Sequence, residues 1–337
     1  MNKTLSSVVI AVTSLLIIVA VGRYAYTEYP AFFGKTPIAE QKPVAPLLNG
    51  SLIMTMRPQV PINSPSGIYA ISAQGGTVKK VDDAHDYYAP SFSTDGRVAV
   101  TAAVGSSSVQ LMLVKVSDKD HPKFVIPPSP TLVPGASSWS LDNKYIVYEA
   151  VSALPTVDDI SITNSRIILL DVTTGVQKIL DTGASPLFAK DGSVFYLKSD
   201  GIYRIDADGL AASSSAEHAA RVAYFEEYQA SRNSRLALSH DGAMVIASHP
   251  HSNGLVVYYA TTTPSFALTQ AGIITTQAAF PVFSPDDVNL AFIELSKDAE
   301  GHPTRSISIA NIRTLQKNIL TKLDAYTDLL SLAAWIR

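Results

Sequence analysis

The chain has 337 residues, 47% of them hydrophobic and 16% charged, which supplies material for a large core and excludes a disordered composition. Its formal net charge of -3, with no cluster of lysine or arginine, excludes an electrostatic nucleic-acid surface. Cysteine is absent, which excludes disulfides, thiolate metal sites and thiol nucleophiles together and leaves the compartment open.

The amino terminus carries the first signal. Lys3 precedes an uncharged stretch from Thr4 to Gly22, and Arg23, Tyr24, Tyr26 and Tyr29 follow it. The strongly apolar part, Val8 to Val21, is 14 residues long, as in a signal-peptide core. Counted from Ser6 to Gly22 it reaches 17, the short end of what spans a bilayer. The tyrosines suit a membrane interface, and Ala20-Val21-Gly22 is only a weak cleavage site. Residues 1–26 therefore read as an uncleaved signal anchor in preference to a cleaved signal peptide, with a buried globular helix as the plain alternative. Lys3 favours the amino terminus in the cytoplasm, although Arg23 weakens that asymmetry. The expected location is the cytoplasmic membrane, single-pass, with the remainder on the periplasmic or extracellular side, or secreted if the segment is cleaved. Residues 27–49 are proline-rich without a clear period, which suits a semi-stiff tether.

From residue 50 onward a repeat of about 48 residues governs the chain. Five segments align: "APSFSTDGRVAVTAAV" from Ala89, "ASSWSLDNKYIVYEAV" from Ala136, "SPLFAKDGSVFYLKS" from Ser185, "SRLALSHDGAMVIAS" from Ser234 and "AFPVFSPDDVNLAFIE" from Ala279. Each has a short apolar run ending in a large residue, namely Phe92, Trp139, Phe188, Leu238 and Phe283, at spacings of 47, 49, 50 and 45. Three positions on stands an aspartate: Asp95, Asp142, Asp191, Asp241 and Asp286. Gly, Asn or Asp comes next, as a tight hairpin turn with positive φ requires, and an alternating apolar strand follows.

A third strand succeeds each hairpin, as in "VQLMLVKV" from Val109, "RIILLDVTTG" from Arg166 and "GIYRIDADG" from Gly201. The same place holds "GLVVYYATT" from Gly254 and "SISIANIRT" from Ser306, and a fourth strand such as "VQKIL" at Val176 or "KNILT" at Lys317 completes the unit. Four antiparallel strands per repeat make a β-propeller blade. The pattern resembles the TolB-type, WD-repeat-like propeller family, most closely in "FSPDD" at Phe283 to Asp287 and "GIYRID" at Gly201 to Asp206. "LALSHDG" and "LFAKDG" keep only the turn. The resemblance spans roughly residues 50–337 and implies a fold far more than an activity. An α/β domain like the one that precedes the propeller in TolB is not expected here, so the resemblance does not imply a role as TolB's direct counterpart.

"GSLIMTMR" from Gly50, "GIYAIS" from Gly67 and "TVKKV" from Thr77 match the second, third and fourth strands of a blade without a first. The missing strand is "SLAAWIR", which places Trp335 52 residues after Phe283 in the position of the large residue. The expected fold is an all-β, six-bladed β-propeller of four-stranded antiparallel blades over residues 50–337, closed by pairing of the N- and C-terminal segments and preceded by one N-terminal transmembrane or signal helix.

Candidate chemistry is sparse. The repeat aspartates fall on different blades, which favours turn formation over catalysis. "DADG" at Asp206 to Gly209, with Asp200 ahead of it, is an incomplete calcium loop and reads as a hairpin turn. "DDAHD" at Asp82 to Asp86 and "SHPHSNG" at Ser248 to Gly254 place histidines beside other ligand-type residues, but His249 and His251 read first as exposed loop residues. Tyr258, Tyr259 and the run Tyr224 to Gln229 offer aromatic contacts to a partner, and half-buried sheet positions are the preferred reading. No nucleophile elbow, His-Glu-x-x-His, P-loop or dinucleotide fingerprint occurs. Some relatives of such propellers stand in front of a serine peptidase domain, and a hydrolase is not expected after the closing strand here. No catalytic, cofactor or metal residue is therefore assigned, and no cofactor.

Two function classes remain. One is a non-enzymatic module that binds a protein, peptide or envelope polymer on its loop face, held to the membrane by its N-terminal helix, with no nucleic-acid partner. The other is a lyase or hydrolase of a sugar polymer with its site in the channel mouth. Converging ionisable groups at that mouth would favour chemistry, and a lining of small and apolar groups would favour binding.

Overall fold

The computed structural model describes residues 50–336, apart from 59–64, 83–85, 95–96, 105–107, 116–117, 125–131, 153–164, 213, 226–233, 250–253, 263–264, 277, 298–299 and 324–326. Residues 1–49, with the expected anchor and tether, lie outside the described residues. Among the described residues no helix is long and apolar enough to cross a membrane.

Among the described residues the strands pair into six four-stranded antiparallel sheets. The first in chain order joins both ends: β1 (Ser51–Pro58), β2 (Gly67–Ser72) and β3 (Lys79–Asp82) pair in sequence, and β24 (Thr327–Ile336) lies on the free side of β1. The second holds β4 (Asp86–Phe92), β5 (Arg97–Val104), β6 (Ser108–Lys115) and β7 (Asp118–Phe124). The third holds β8 (Leu132–Trp139), β9 (Tyr145–Ser152), β10 (Ser165–Asp171) and β11 (Gln177–Thr182). The fourth holds β12 (Ala184–Phe188), β13 (Val194–Lys198), β14 (Gly201–Ile205) and β15 (Ala219–Tyr224). The fifth holds β16 (Arg235–Leu238), β17 (Met244–His249), β18 (Gly254–Thr261) and β19 (Ala267–Thr276). The sixth holds β20 (Ala278–Phe283), β21 (Asn289–Lys297), β22 (Pro303–Asn311) and β23 (Lys317–Leu323).

Each sheet is covered on both faces by its neighbours, which is why its second strand is apolar at successive positions rather than alternate ones. Ile146, Val147 and Tyr148 on β9, Val194 to Leu197 on β13 and Leu290 to Ile293 on β21 are all buried. Alternate side chains then enter different clusters. On β1, Leu52 and Met54 pack with Ala291, Ile293 and Ile307 of the sixth sheet, while Ile53 packs with Tyr87 and Val98 of the second. Similar clusters fill the remaining contacts between successive sheets. The first strands touch in order, β4 to β8, β12, β16, β20, β24 and back to β4. The fold is an all-β propeller of four-stranded antiparallel blades.

Strand register tests the placement of Trp335. Trp139 pairs with Ile146, Leu238 with Val245 and Phe283 with Leu290, in each case the second residue of the next strand. Trp335 pairs with Leu52, the second residue of β1, and so occupies the same rung.

The hairpin turns match the residues chosen for them. Asn143, Asp287, Gly192 and Gly242 carry φ of 58°, 56°, 82° and 76°. The aspartate before each holds the turn: Asp142 Oδ1 accepts from the Ser140 hydroxyl at 2.7 Å, and Asp241 Oδ1 accepts from the Ser239 hydroxyl at 2.7 Å and the Ala243 N–H at 2.8 Å. Those hydroxyl bonds hold both carboxyls below the usual carboxylate range. Asp191 and Asp286 act likewise through Ser193 and Ser284. The fifth, Asp95, lies outside the described residues.

Candidate functional site: the central channel

The six first strands enclose a cavity of about 430 Å³ lined by every one of them. Three of these strands share a local device. Ala89-Pro90, Ser185-Pro186 and Phe280-Pro281 each place a non-glycine residue at positive φ (40°, 52° and 53°) immediately before proline. Each coincides with a β-bulge, seen as a slip in register between Tyr88 and Ser91, Ala184 and Leu187, and Ala279 and Val282. An extra residue on the inner strand opens the ladder and turns backbone and side chain towards the lumen or the next blade. Because proline has no N–H to pair, it is tolerated at such a bulge. The devices fall on alternate blades, the second, fourth and sixth sheets.

Polar contacts link the inner strands around the ring. Ser91 and Ser137 share a 2.7 Å hydroxyl bond, and the Trp139 indole N–H donates to the Ser91 carbonyl at 3.3 Å. The Phe188 N–H donates to Ser138 Oγ at 3.1 Å, and the Leu236 N–H donates to Ser185 Oγ at 3.0 Å. At the turn end, Asn143 donates to Thr94 Oγ1 at 2.7 Å, and Asp287 Oδ1 accepts from the His240 N–H at 2.9 Å. Where the positive-φ position holds Asn or Asp rather than Gly, its side chain therefore bridges to the preceding blade.

Charge enters the channel at the end where the inner strands begin. Arg235, the first residue of β16, lines the cavity with its guanidinium 5.4 Å from the Phe280 ring centroid. Its Nη1 donates to the Ser234 carbonyl at 2.9 Å. Burial holds its pKa below the ordinary arginine value, and the nearby Glu149 charge acts in the opposite sense. Glu149 is only 3% exposed, and its Oε2 accepts from the Ser185 N–H at 3.3 Å. On the second strand it stands three residues past the rung facing Trp139. The same position elsewhere holds Thr55, Thr101, Leu197, Ser248 and Ile293, so the carboxylate is particular to this blade. Tyr88 also lines the cavity, under the Arg57 guanidinium. The remaining lining is mostly small or apolar, including Ala136, Leu187, Val282 and Ala333.

The residues singled out in the sequence scatter. Asp206 pairs with Arg204 at 2.5 Å and Asp200 with Arg221 at 2.8 Å. "DADG" is not the hairpin turn expected of it: residues Ala207–Ala211 form a one-turn helix, α1, ahead of a 3-10 turn at Ser215–His218. Lys178 secures this insertion by donating to the Leu210 carbonyl at 2.6 Å. Asp82 accepts from the buried Tyr87 hydroxyl at 2.7 Å, while His85 and His251 lie outside the described residues. His249 ends β17. Among the described residues no three His, Asp or Glu side chains gather as metal ligands do. Tyr258 belongs to the core, and burial pushes its hydroxyl up to about 12, whereas Tyr259 and Tyr224 are exposed. Sequence reasoning missed Arg235 and Glu149. The one available signal was a glutamate inside "YIVYEAV", where a strand buried on both faces has no use for a charge.

No protein-family model matches the chain, and no curated protein matches it in sequence. Solved structures do match in shape. TolB from Acinetobacter baumannii superposes with a TM-score of 0.58 at 16% identity over 85% of this chain and 66% of its own. A chain of a nidogen–laminin complex gives 0.55 at 11% identity, covering 84% of this chain and all (100%) of its own. Oligogalacturonate lyase from Vibrio parahaemolyticus gives 0.52 at 11% identity, covering 80% of this chain and 79% of its own. This chain thus spans 66% of the length of that TolB chain. At such identities the likeness is one of fold, and it joins this chain to the TolB-like propellers in architecture.

Proposed function

We propose that the protein is a membrane-tethered, extracytoplasmic propeller that binds a protein, peptide or envelope polymer without turning it over. On this reading residues 1–26 anchor the chain, residues 27–49 hold it clear of the lipid, and the six-bladed ring presents its channel to the partner. The lining of that channel carries the reading: it is mostly small, apolar and serine side chains, with Tyr88, His240 and the Arg235 guanidinium among them, and this favours recognition, since general acid–base work needs several ionisable groups converging on a substrate. Glu149, the carboxylate beside the channel, is 3% exposed and engaged by the Ser185 amide, which suits it to holding a strand.

A propeller enzyme acting on a sugar polymer is the second reading, and the presence of Arg235 and His240 on the channel lining is the observation in its favour. Proximity labelling in the native membrane, with the anchor intact, separates the two. Recovery of a defined envelope partner, lost when residues 1–26 are removed and the protein leaves the membrane, is the expected result. Turnover of a polysaccharide or peptide library, with no partner recovered, would overturn it.

A further inference from the structure

The blade boundaries differ at their hairpin turns. Asn143 bridges the second and third sheets, and Asp287 bridges the fifth and sixth, each from the positive-φ position. Between the third and fourth sheets that position is Gly192, which has no side chain to send across. A cleft of about 450 Å³ opens there, between Leu141 of one turn and Lys190 to Gly192 of the next. Its floor is the unfilled end of the core between these sheets. Leu169, Phe188 and Leu210 pack on the cluster of Val147, Ile167 and Val194, and the same three side chains line the cleft.

A second feature walls it. The connection from third to fourth strand in the fourth sheet is thirteen residues long, 206–218. The third, fifth and sixth sheets use five residues there, 172–176, 262–266 and 312–316. The extra length carries α1, whose Ala207, Leu210 and Ala211 form one side of the cleft. Lys178 braces that side from the third sheet through the Leu210 carbonyl at 2.6 Å.

Polarity and charge select the occupant. Leu141 is 60% exposed and Tyr145 is 37% exposed, so apolar surface stands open at the rim. Of the charged groups on the lining, Asp142 is paired with Lys144 at 3.3 Å and Asp191 with Arg204 at 2.9 Å. The Lys190 ammonium makes no ion pair or hydrogen bond among the described residues. A hydroxyl-rich sugar chain would lose hydration against these walls without recovering it. A large apolar side chain next to a carboxylate answers both the apolar seat and the uncompensated cation.

We propose that this cleft seats an extended peptide segment of a protein partner, with a large apolar side chain on Phe188 and Leu210 and an adjacent Asp or Glu at Lys190. The inference rests on the binding reading above and names the partner's chemistry. Apolar contact supplies most of the affinity, and the solvent-exposed ion pair supplies a smaller preference.

The test uses the full chain in phosphatidylcholine nanodiscs and fluorescence anisotropy with four labelled probes, empty nanodiscs being subtracted. They are the amidated peptides Ser-Leu-Phe-Asp-Ser, Ser-Leu-Phe-Asn-Ser and Ser-Ala-Ala-Asp-Ser, and an N-acetylglucosamine tetramer. Relative to the first, the second is expected to bind about threefold more weakly and the third at least about tenfold more weakly. Lys190→Gln should erase the preference for Asp over Asn. Gly192→Asn installs a side chain that tolerates positive φ, as at Asn143, where a Cβ meets Ala207 at an ordinary 3.6 Å. It should weaken the first probe about tenfold by bridging the cleft. Gly242→Asn makes the same change between the fourth and fifth sheets and should leave that probe's binding unchanged. Equal binding of the Asp and Asn peptides, equal binding of the Leu-Phe and Ala-Ala peptides, or binding of none overturns the proposal. These comparisons use the wild-type chain and do not depend on any variant folding. Full binding of the first probe by Gly192→Asn, with its circular dichroism unchanged, overturns it as well. Binding of the sugar alone, lost in Gly192→Asn, would give the cleft to an envelope polymer, and a dimer that Gly192→Asn dissociates would give it to a second copy. Either result overturns the peptide assignment and leaves the binding reading standing. Cleavage of any probe, seen by mass spectrometry, would overturn that reading itself.

Discussion

Thr55 and Ser331, 276 residues apart in sequence, share a buried 2.7 Å hydroxyl–hydroxyl bond between β1 and β24. It fixes the register in which the two ends of the chain complete one blade. Leaving one of these hydroxyls unmatched in a dry site is the expensive case. Ser331→Ala should therefore lower stability by about 1–3 kcal/mol, read from the denaturant midpoint, while Thr55→Val with Ser331→Ala together should cost less than the two single changes summed.

Trp335→Ala is expected to cost about 3 kcal/mol, the lower end for aromatic truncations, because the indole lines the channel and is not fully enclosed. Deleting Leu332 to Arg337 removes the rungs opposite Leu52, Ile53 and Met54 and should open the ring. Thermal unfolding monitored by tryptophan fluorescence and circular dichroism checks both. An unchanged midpoint for either variant would refute closure through this strand.

Leu315 has φ of 56° and is 54% exposed, in a turn where Asn311 Oδ1 accepts from the Arg313 and Thr314 amides. The corresponding turn in the third sheet, held by Asp171, places Gly175 there at 74°. Leu315→Gly should relieve a left-handed conformation costing about 1–2 kcal/mol and give back part of it in chain entropy. A net gain of up to about 1 kcal/mol is expected, with Gly175→Ala giving a loss of similar size. A melting temperature lowered by Leu315→Gly would contradict this.

Acid stability follows from the turn carboxylates. The Ser140 and Ser239 hydroxyls depress the pKa values of Asp142 and Asp241 in the folded protein. Depressed folded values mean that the stabilisation is fully present above the unfolded value of about 3.9 and is lost as pH falls through the folded values. Melting temperature should fall on the acid side of about pH 3.9, and less steeply in a Ser140→Ala, Ser239→Ala variant. An identical acid limb in that variant would show that the serines do not act this way.

Asp287 accepts from the backbone of both His240 and Asp241 across a blade boundary. Asp287→Gly keeps the positive φ of 56° and removes only the bridge. It should destabilise by about 1–2 kcal/mol, as loss of bonds to a charged acceptor does. Chemical denaturation measures it, and no change would mean that water replaces the bridge at no cost.

What the sequence disclosed and what it concealed divide along physical lines. Local rules made the repeat legible: Asp142 and Asn143 announce a turn because few residues tolerate its dihedrals, and Trp335 announces a first strand because its rung demands bulk. The one-turn helix after Asp206 was missed because "DADG" satisfies a hairpin as readily as it starts a helix, and the choice was made by Lys178 from another blade. Arg235 and Glu149 were missed for a stronger reason. They lie 86 residues apart on different blades, and only the rotation of the ring places Arg235 on the channel wall and Glu149 against Ser185 of that wall. The bulges at Ala89, Ser185 and Phe280 were written as residue-proline pairs, but nothing local says that positive φ precedes those prolines.

The pairing of β1 with β24 also has a consequence for biosynthesis. On a ribosome, β1 emerges early and can meet β2 at once, yet its other edge has no partner until residues 327–336 have been translated. Throughout that interval Leu52, Ile53 and Met54, fully buried in the finished ring, sit on a strand with one open flank. The nascent chain is thus prone to mispairing at β1, and translation of β24 ends that exposure.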